Sequence, residues 1–377
     1  MYKKFQAIFY FTASLLILFA VSGCDLLQIT KSNPTVKDTV SEAWDIISGE
    51  YVDMSLVDPT EISQGAVKGM LEALDDPYSG YYTPDEYEVL ITHQQGTFGG
   101  IGATVGVRDG QIIVVAPIPG TPAAAAGVKS GDAIIAVNGE STEGQSIEDV
   151  VKKIRGPEGT SVRVTIKHEG EIDPVEIEFI RAMIDVPSLA YEMRGDIAYI
   201  QIYYFSERTD EEFIPILKQL KKANAAGIIL DLRSNPGGPV DTVVNIASNF
   251  LNDGVVLYLV DNKGRETSYS VNKQTEVRTN LPVAVLTDNY SASGSEVLSG
   301  ALQDYGRAVV AGKTTYGKGS ADRWFELSDG SAIYLTVSRW LTPNRRLIEG
   351  KGITPDYQLG LEGDALVDWA IDYLKGK

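Results

Sequence analysis

Histidine and cysteine are close to absent from this chain: its 377 residues contain two histidines, His93 and His168, and one cysteine, Cys24. One cysteine makes no internal disulfide, so stability has to come from the packed core, and no redox chemistry is expected. Two histidines without further cysteines supply no Cys/His zinc site. Positive charge is also scarce, with 33 Lys and Arg against 51 Asp and Glu and a formal net charge of −18. Such a charge repels phosphate backbones and anionic surfaces, and no basic cluster with interleaved aromatics offsets it, which speaks against nucleic-acid binding. The longest apolar run, Ala7 to Val21, is about fifteen residues, short of the roughly 20 a membrane-spanning helix needs.

What is present begins with that run. Lys3 and Lys4 precede it and Val21-Ser22-Gly23-Cys24 follows it, the order of an export signal with small residues before the processing point. The cysteine directly after Gly23 resembles a bacterial lipoprotein box, in which the cysteine is lipidated and becomes the mature N-terminus. Residues 1–24 are therefore expected to be a signal, followed by a polar tether containing Pro34 to about residue 36. The protein is then exported, resident in the cell envelope and anchored to a membrane through lipid on Cys24.

At 44% hydrophobic residues the remaining chain is long enough for two or three folded units. Residues 37–95 form a first, helical region. Apolar residues recur there at three- and four-residue intervals, as in Val40, Ala43, Trp44, Ile47 and again in Ala66, Met70, Leu74, which predicts core-facing amphipathic helices over 40–57 and 61–74. Asp75 to Tyr82 breaks the pattern with Pro77 and Gly80, and Thr83-Pro84 restarts a helix. From Gly96 to Arg181 short alternating strands dominate, with a hairpin at Asp109-Gly110 and two short helices, one capped by Thr121 and one spanning Ser146 to Ile154. Beyond Ala182, in residues 182–377, strands (197–205, 227–232, 282–287, 307–311) alternate with helices (209–223, 240–251, 293–304), which is α/β architecture. Thr209 with Glu212 and Ser293 with Glu296 carry the capping-box spacing.

The scarcity of histidine decides the chemistry. Neither histidine falls in the α/β part, so a Ser-His-Asp triad is excluded there and a serine nucleophile needs another base. Ser291-Ala292-Ser293-Gly294-Ser295-Glu296 follows the apolar strand ending Val285-Leu286-Thr287. That turn sets a hydroxyl over the free amides of a helix start, where an anion is favoured. The oxyanion of a tetrahedral acyl intermediate would find one donor in the Gly294 N–H and a second in the Gly-Gly turn of Asp231-Leu232-Arg233-Ser234-Asn235-Pro236-Gly237-Gly238, with Gly238 the candidate. Lys318, between Gly317 and Gly319, is the candidate base; an amine of ordinary basicity is charged at neutral pH, so burial has to favour its neutral form. Gly312 to Lys318 also approaches a phosphate-binding loop, but Gly319 stands where a serine or threonine for magnesium is needed, and a nucleotide site is rejected.

At these residues the sequence resembles the carboxyl-terminal processing peptidases, or tail-specific proteases, a serine-lysine family. The resemblance runs through Leu74-Asp75-Asp76-Pro77, Phe98 to Gly102, Gly120 to Ala123, Asp231 to Gly238, Ser291 to Glu296, Gly317 to Ser320 and Gly352 to Asp356. It implies a multidomain α/β fold: a crotonase/ClpP-like protease core (182–377), an inserted PDZ domain (96–181) and the N-terminal helical region (37–95). By the same resemblance Ser293 is the nucleophile, Lys318 its base, and Gly238 with Gly294 the oxyanion hole. The amides of Gly99, Gly100, Ile101 and Gly102 would hold the terminal carboxylate of a peptide that adds as a strand, with the helix 146–154 as the other wall. The family usually carries glutamine four residues after the lysine, and here Asp322 stands there. A carboxylate aimed at Lys318 favours its charged form, so either Asp322 points elsewhere or the enzyme does not work at ordinary pH, unless burial outweighs the pairing; the plainer expectation is that Asp322 accepts a hydrogen bond and activity persists.

The resemblance thus implies a serine endopeptidase acting near the C-termini of exported proteins, with no metal or cofactor. Its partners are protein substrates with accessible C-terminal tails, no nucleic acid, a membrane through the lipid anchor, and an oligomer such as a dimer is left open. Two other readings compete: a catalytically silent lipoprotein that binds tails as an adaptor, for which Asp322 speaks, and a crotonase-like acyl-CoA enzyme, which export, the PDZ insertion and the serine-lysine pair disfavour.

Overall fold

Runs such as Gly227-Ile-Ile-Leu-Asp231 and Val283-Ala-Val-Leu-Thr287 carry apolar side chains on both faces, the pattern of strands buried between two layers. The structure, a computed structural model, describes residues 35–376 apart from 109, 169 and 172. The expected signal, Cys24 and all but the end of the tether lie outside the described residues. Two units make up the chain, residues 1–63 and 64–377.

In the first unit helix α1 (Val36–Glu50) starts at a capping box made by Thr35 and Asp38; a 3-10 turn (Met54–Leu56) follows, and α2 (Pro59–Glu72) runs across the boundary between the units. Helices form here, but over Val36–Glu50 and Pro59–Glu72 rather than 40–57 and 61–74, and α1 buries no residue: Val40, Trp44 and Ile47 are exposed. Within its own unit α1 does not meet the expectation of a core-facing helix.

The second unit continues with β1 (Gly80–Tyr82), α3 (Pro84–Gln94), which contains His93, and β2 (Thr97–Gly100). Next come β3 (Ala103–Arg108), β4 (Gln111–Pro117), α4 (Pro122–Ala125), β5 (Ala133–Val137), β6 (Glu140–Ser141), α5 (Ile147–Ile154), β7 (Ser161–Lys167), β8 (Val175–Ile180) and β9 (Ala182–Asp185). Strands β3-β4-β5-β7-β8 form an antiparallel sheet, with β6 on β5, around a core of Ile112, Val114, Ile134, Val164 and Ile166. Strand β2 pairs separately with β9. Ser146 caps α5 by accepting the Asp149 N–H at 3.1 Å. Thr121 does not cap α4: its hydroxyl donates to the carbonyls of Gly102 (2.9 Å) and Ile118 (2.7 Å), fastening the glycine loop instead. His168 is structural, its Nδ1 2.9 Å from the buried Asp132 carboxylate.

The rest comprises β10 (Leu189–Arg194), β11 (Ile197–Ile202), α6 (Thr209–Ala223), β12 (Gly227–Asp231), α7 (Val240–Ser248), β13 (Val255–Asp261), β14 (Glu266–Ser270), β15 (Val283–Thr287), α8 (Gly294–Asp304), β16 (Val309–Gly312), β17 (Ser320–Glu326), β18 (Ala332–Leu341), β19 (Tyr357–Gln358) and α9 (Gly363–Lys375). One sheet has the order β10-β11-β12-β15-β16-β19, parallel from β11 onward. Alternation along its strands separates two cores. Ile228, Leu230, Val285 and Val310 face α6, α7 and α8, whereas Ile229, Ala284, Leu286 and Ala311 face α9. Each fully buried Ile, Leu or Val among them contributes roughly 1.5–3 kcal/mol of transfer free energy. A second, antiparallel sheet joins β1, β18, β13 and β14, with β17 on β18. Neither β13-β14 nor β17-β18 is legible in the periodicity above, for their burial is partial and mixed.

The capping signal at Thr209 and Glu212 misleads. Arg208 is the N-cap of α6, and both side chains serve Ser188, Glu212 accepting from its N–H and hydroxyl at 2.8 Å and Thr209 donating to its Oγ at 2.8 Å.

Candidate active site

Strands β12, β15 and β16 are neighbours running in parallel, with Asp231 opposite Leu286 and Thr287 opposite Gly312. The loops after them, 232–239, 288–293 and 313–319, therefore leave the sheet at one edge, outside the carboxyl ends of the strands where open α/β sheets place ligands. Three sequence stretches spread over residues 232–319 become adjacent for that topological reason.

Asn235 stitches the first two loops together. Its backbone carbonyl accepts the Ala292 N–H and the Ser295 hydroxyl, each at 3.0 Å, its Oδ1 accepts the Gly237 N–H at 2.8 Å, and its Nδ2 donates to the Ile202 carbonyl at 2.8 Å. Below them the buried Asp231 carboxylate accepts from Tyr199 Oη at 2.7 Å and from Arg233 Nε at 2.9 Å. Ser293 sits at the N-cap of α8 with φ 52° and ψ −112°, a region that costs on the order of 1–3 kcal/mol for a non-glycine residue and is met at functional turns.

The glycines are dictated by proximity. Gly237 has φ 103°, and a Cβ on it would come within 2.6 Å of the Gly294 nitrogen and 2.8 Å of Ser293 Cβ. A Cβ on Gly294 would lie 3.2 Å from the Gly238 nitrogen. The amides of Gly238 and Gly294 are thus side by side next to Ser293, and neither donates to the backbone among the described residues. Gly238 has φ 154°, and a Cβ there would lie 2.0 Å from the Phe205 carbonyl oxygen. Gly238→Ala is therefore expected to displace the loop; with Gly238 as the oxyanion donor that the resemblance implies, kcat falls by about 10²-fold or more with KM the less affected constant, which steady-state kinetics on a peptide substrate checks.

Lys318 is brought to the same cavity of about 470 Å³, which Ser293, Gly238, Gly294, Ser320 and Asp322 also line, with an apolar wall that includes Val243, Leu257 and Trp340. Its Nζ lies 2.6 Å from Asp322 Oδ2, and Asp322, with 1% of its side chain exposed, accepts the Thr336 hydroxyl at 2.8 Å through Oδ1. Of the two alternatives for Asp322, the one in which it points away is overturned: it grips the lysine. The Tyr78 ring centre is 4.8 Å from Nζ and that of Tyr334 5.9 Å. Burial, with Tyr316 beside it, pushes the Tyr78 phenol up to about 12. Burial and the Asp322 charge push Tyr334 up as well. Both therefore stay neutral rings at neutral pH and can face a cation.

Glu296, whose spacing to Ser293 is a capping signal, does more than cap. Its buried carboxylate accepts the Ser293 N–H at 2.8 Å and the Lys318 N–H at 2.9 Å on Oε2, and the Thr315 hydroxyl at 2.6 Å and Gly317 N–H at 2.7 Å on Oε1. It ties the serine loop to the lysine loop. Burial pushes this carboxyl above its ordinary range although the four donors pull it down. Trp340 adds a bond from Nε1 to the Lys318 carbonyl at 2.8 Å. Nothing in the local sequence marks Tyr78 or Trp340, whose contacts are made through the second sheet.

Comparison with known proteins gives the family. Residues 196–359 match the description "Peptidase family S41", 113–168 "PDZ domain" and 26–85 "Activating protease CtpB N-terminal domain". The chain is 38% identical over 333 residues to the carboxy-terminal processing protease CtpB of Bacillus subtilis, covering 87% of this chain and 68% of that protein. It belongs to the S41 peptidases. Similarity to the carboxy-terminal processing protease CtpA of Bacillus subtilis is 35% over 353 residues, covering 93% and 75% of the two chains. Among solved structures the photosystem II D1 C-terminal processing protease superposes with a TM-score of 0.51 at 27% identity, covering 85% of this chain and 92% of that one. This S41 chain is a serine-type protease of the carboxy-terminal processing kind, and the adaptor reading is not favoured.

The PDZ segment of this S41 peptidase places its predicted binding residues in one cavity of about 300 Å³, lined by Phe98 to Val105 and by Val151, Ile154 and Arg155 at the end of α5. The carbonyls of the glycine loop are occupied: Gly99 accepts from Gly156 (3.2 Å), Ile101 from Ala123 (2.7 Å) and Gly102 from Ile118 (2.9 Å). The N–H groups of Ile101 and Gly102 donate to no backbone carbonyl among the described residues. Gly102 must be glycine, having φ 78° and Thr121 within 2.5 Å of any Cβ. No helix of the described residues is long and apolar enough to cross a membrane.

Proposed function

We propose that Ser293 and Lys318 form the catalytic dyad of an endopeptidase that cuts exported proteins near their C-termini. Ser293 Oγ attacks the scissile carbonyl carbon while Lys318 Nζ takes its proton. The N–H groups of Gly238 and Gly294 receive the oxyanion, and the new ammonium returns the proton to the leaving amine as the C–N bond breaks. Water then cleaves the acyl-enzyme with the same lysine as base. The observation that carries this reading is the pair of adjacent amides beside Ser293, opening into the cavity that also holds Lys318. The glycine loop of residues 99–102 holds the tail's carboxylate, supported by its free amides and the apolar floor from α5. The protein works exported and tethered by lipid on Cys24, a reading that rests on the leader sequence alone.

The test is mass spectrometry of a partly unfolded protein with an apolar tail after incubation with purified residues 25–377 or with its Ser293→Ala variant. Cleavage by the first alone supports the reading; equal cleavage by both sinks it. Amidating the substrate's C-terminus removes the anion the loop would bind, and is expected to raise KM roughly tenfold, the value of about 1.4 kcal/mol for a charge-assisted contact, with kcat little changed. An unchanged KM would remove the glycine loop from substrate recognition.

A further inference from the structure

We propose that Ser320 is a positioning residue for the lysine of the dyad, a proposal that rests on the Ser293–Lys318 reading. Ser320 opens β17, two residues after Lys318 and two before Asp322, and lines the same cavity as Ser293. It is 2% exposed, and its hydroxyl oxygen is buried with no hydrogen-bond partner among the described residues. Folded chains seldom leave a buried hydroxyl unpaired, and exceptions call for a reason. Of the other side-chain atoms in that condition, those of Tyr81, Gln145, Tyr191, Asp210, Gln303, Arg346 and Glu349, none lines this cavity.

The backbone around Ser320 is tightly held. It pairs with Arg339 across β18, the Trp340 N–H donates to the Gly319 carbonyl at 2.9 Å, and a Cβ on Gly319 would lie 2.3 Å from the Glu349 nitrogen. Ser320 thus has a fixed place in the cavity wall, between Lys318 and Asp322 along the chain.

The donor count of an amine says what it does there. A lysine acting as base is neutral, with two N–H bonds and one lone pair. The lone pair has to face the Ser293 proton, so both N–H bonds need acceptors elsewhere. Asp322 Oδ2 at 2.6 Å provides one, and Oδ1 of the same carboxylate is engaged by Thr336. Tyr78 and Tyr334 present ring faces to the nitrogen, and the Lys318 carbonyl is taken by Trp340. Ser320 Oγ accepts the second N–H once the amine turns toward Ser293. With both N–H bonds placed, the lone pair has one direction left. The proton moves from Ser293 Oγ to Nζ and on to the leaving nitrogen, while Ser320 keeps its own.

Removing this hydroxyl should therefore affect stability and catalysis in opposite senses. Ser320→Ala is expected to melt at or above the wild-type temperature, while kcat on a tail-bearing peptide falls tenfold or more and KM stays within twofold. Ser320→Cys, close in size with a weaker acceptor, should fall between the two, and it carries the comparison should the alanine variant not fold. A kcat within twofold of wild type in Ser320→Ala overturns the proposal. So does a parallel fall of melting temperature and kcat, which is the mark of a merely structural serine. Ser293→Ala run alongside separates the two readings: if it still cleaves, the dyad assignment has failed, whereas a dead Ser293→Ala beside a fully active Ser320→Ala defeats the role of Ser320 alone.

Discussion

Lys318→Ala is expected to lower kcat/KM by about 10⁴-fold or more, and the Ser293→Ala, Lys318→Ala double variant to be no worse than either single one. Residues that act as one unit in acyl transfer are grossly non-additive, since losing either partner removes the whole covalent route. What remains comes from the amides of Gly238 and Gly294 and from binding, which are untouched. The fold should survive. Lys318 contributes one buried ion pair with Asp322, but its backbone N–H to Glu296 and its carbonyl to Trp340 persist with any side chain. Truncation does strand the Asp322 carboxylate, which is 1% exposed, so Lys318→Met with Asp322→Asn is the cleaner control for stability. Fluorophosphonate labelling of Ser293 provides the second readout: it should slow in Lys318→Ala to the same degree as turnover. Additive losses in the double variant would show that the two side chains act separately.

The second large effect belongs to Glu296. Glu296→Ala leaves three backbone N–H groups and the Thr315 hydroxyl facing a buried void where the carboxylate had accepted all four. Each unsatisfied buried donor costs about 1–3 kcal/mol, so a loss of roughly 4 kcal/mol or more is expected, measured as a denaturation midpoint. Glu296→Gln keeps the volume but offers one acceptor oxygen and a donor, and should cut kcat about 10²-fold by releasing the serine loop from the lysine loop. The pH dependence follows from the sign. Burial raises the native value of this carboxyl above the 4.5 of the unfolded chain, so on acidification it protonates first in the folded state. Between those two values the native chain binds more protons than the unfolded one, and falling pH favours folding through this group. Yet a protonated carboxyl must give up one of its donors. Activity should thus fall in a pH window above 4.5 where the melting temperature does not fall with it; coincident losses of the two would show that Glu296 is not the group responsible.

The α/β part was readable because its strands are buried on both faces and its helices are long. The boundaries of α6 agree with the periodicity to the residue, and those of β12 and β15 to within one. The second sheet was not readable, since β17 and β18 bury only scattered positions and their pairing spans the Leu327–Ser331 turn without a simple alternation. Capping signals were right at Ser293 and wrong at Thr209, because a threonine and a glutamate at that spacing serve equally well to hold a distant serine such as Ser188.

By itself the sequence excluded a histidine triad and a zinc site, marked Ser293, Lys318 and the glycines as candidates, and carried the leader that predicts export. These are matters of which groups exist and what stands beside them along the chain. The structure alone decided that Asp322 grips Lys318, that Glu296 joins two loops more than twenty residues apart, and that Ser320 is buried without a partner. Such facts depend on which strands lie side by side and where a side chain finds its donors, and neighbours along the chain carry no record of contacts closed by the sheet.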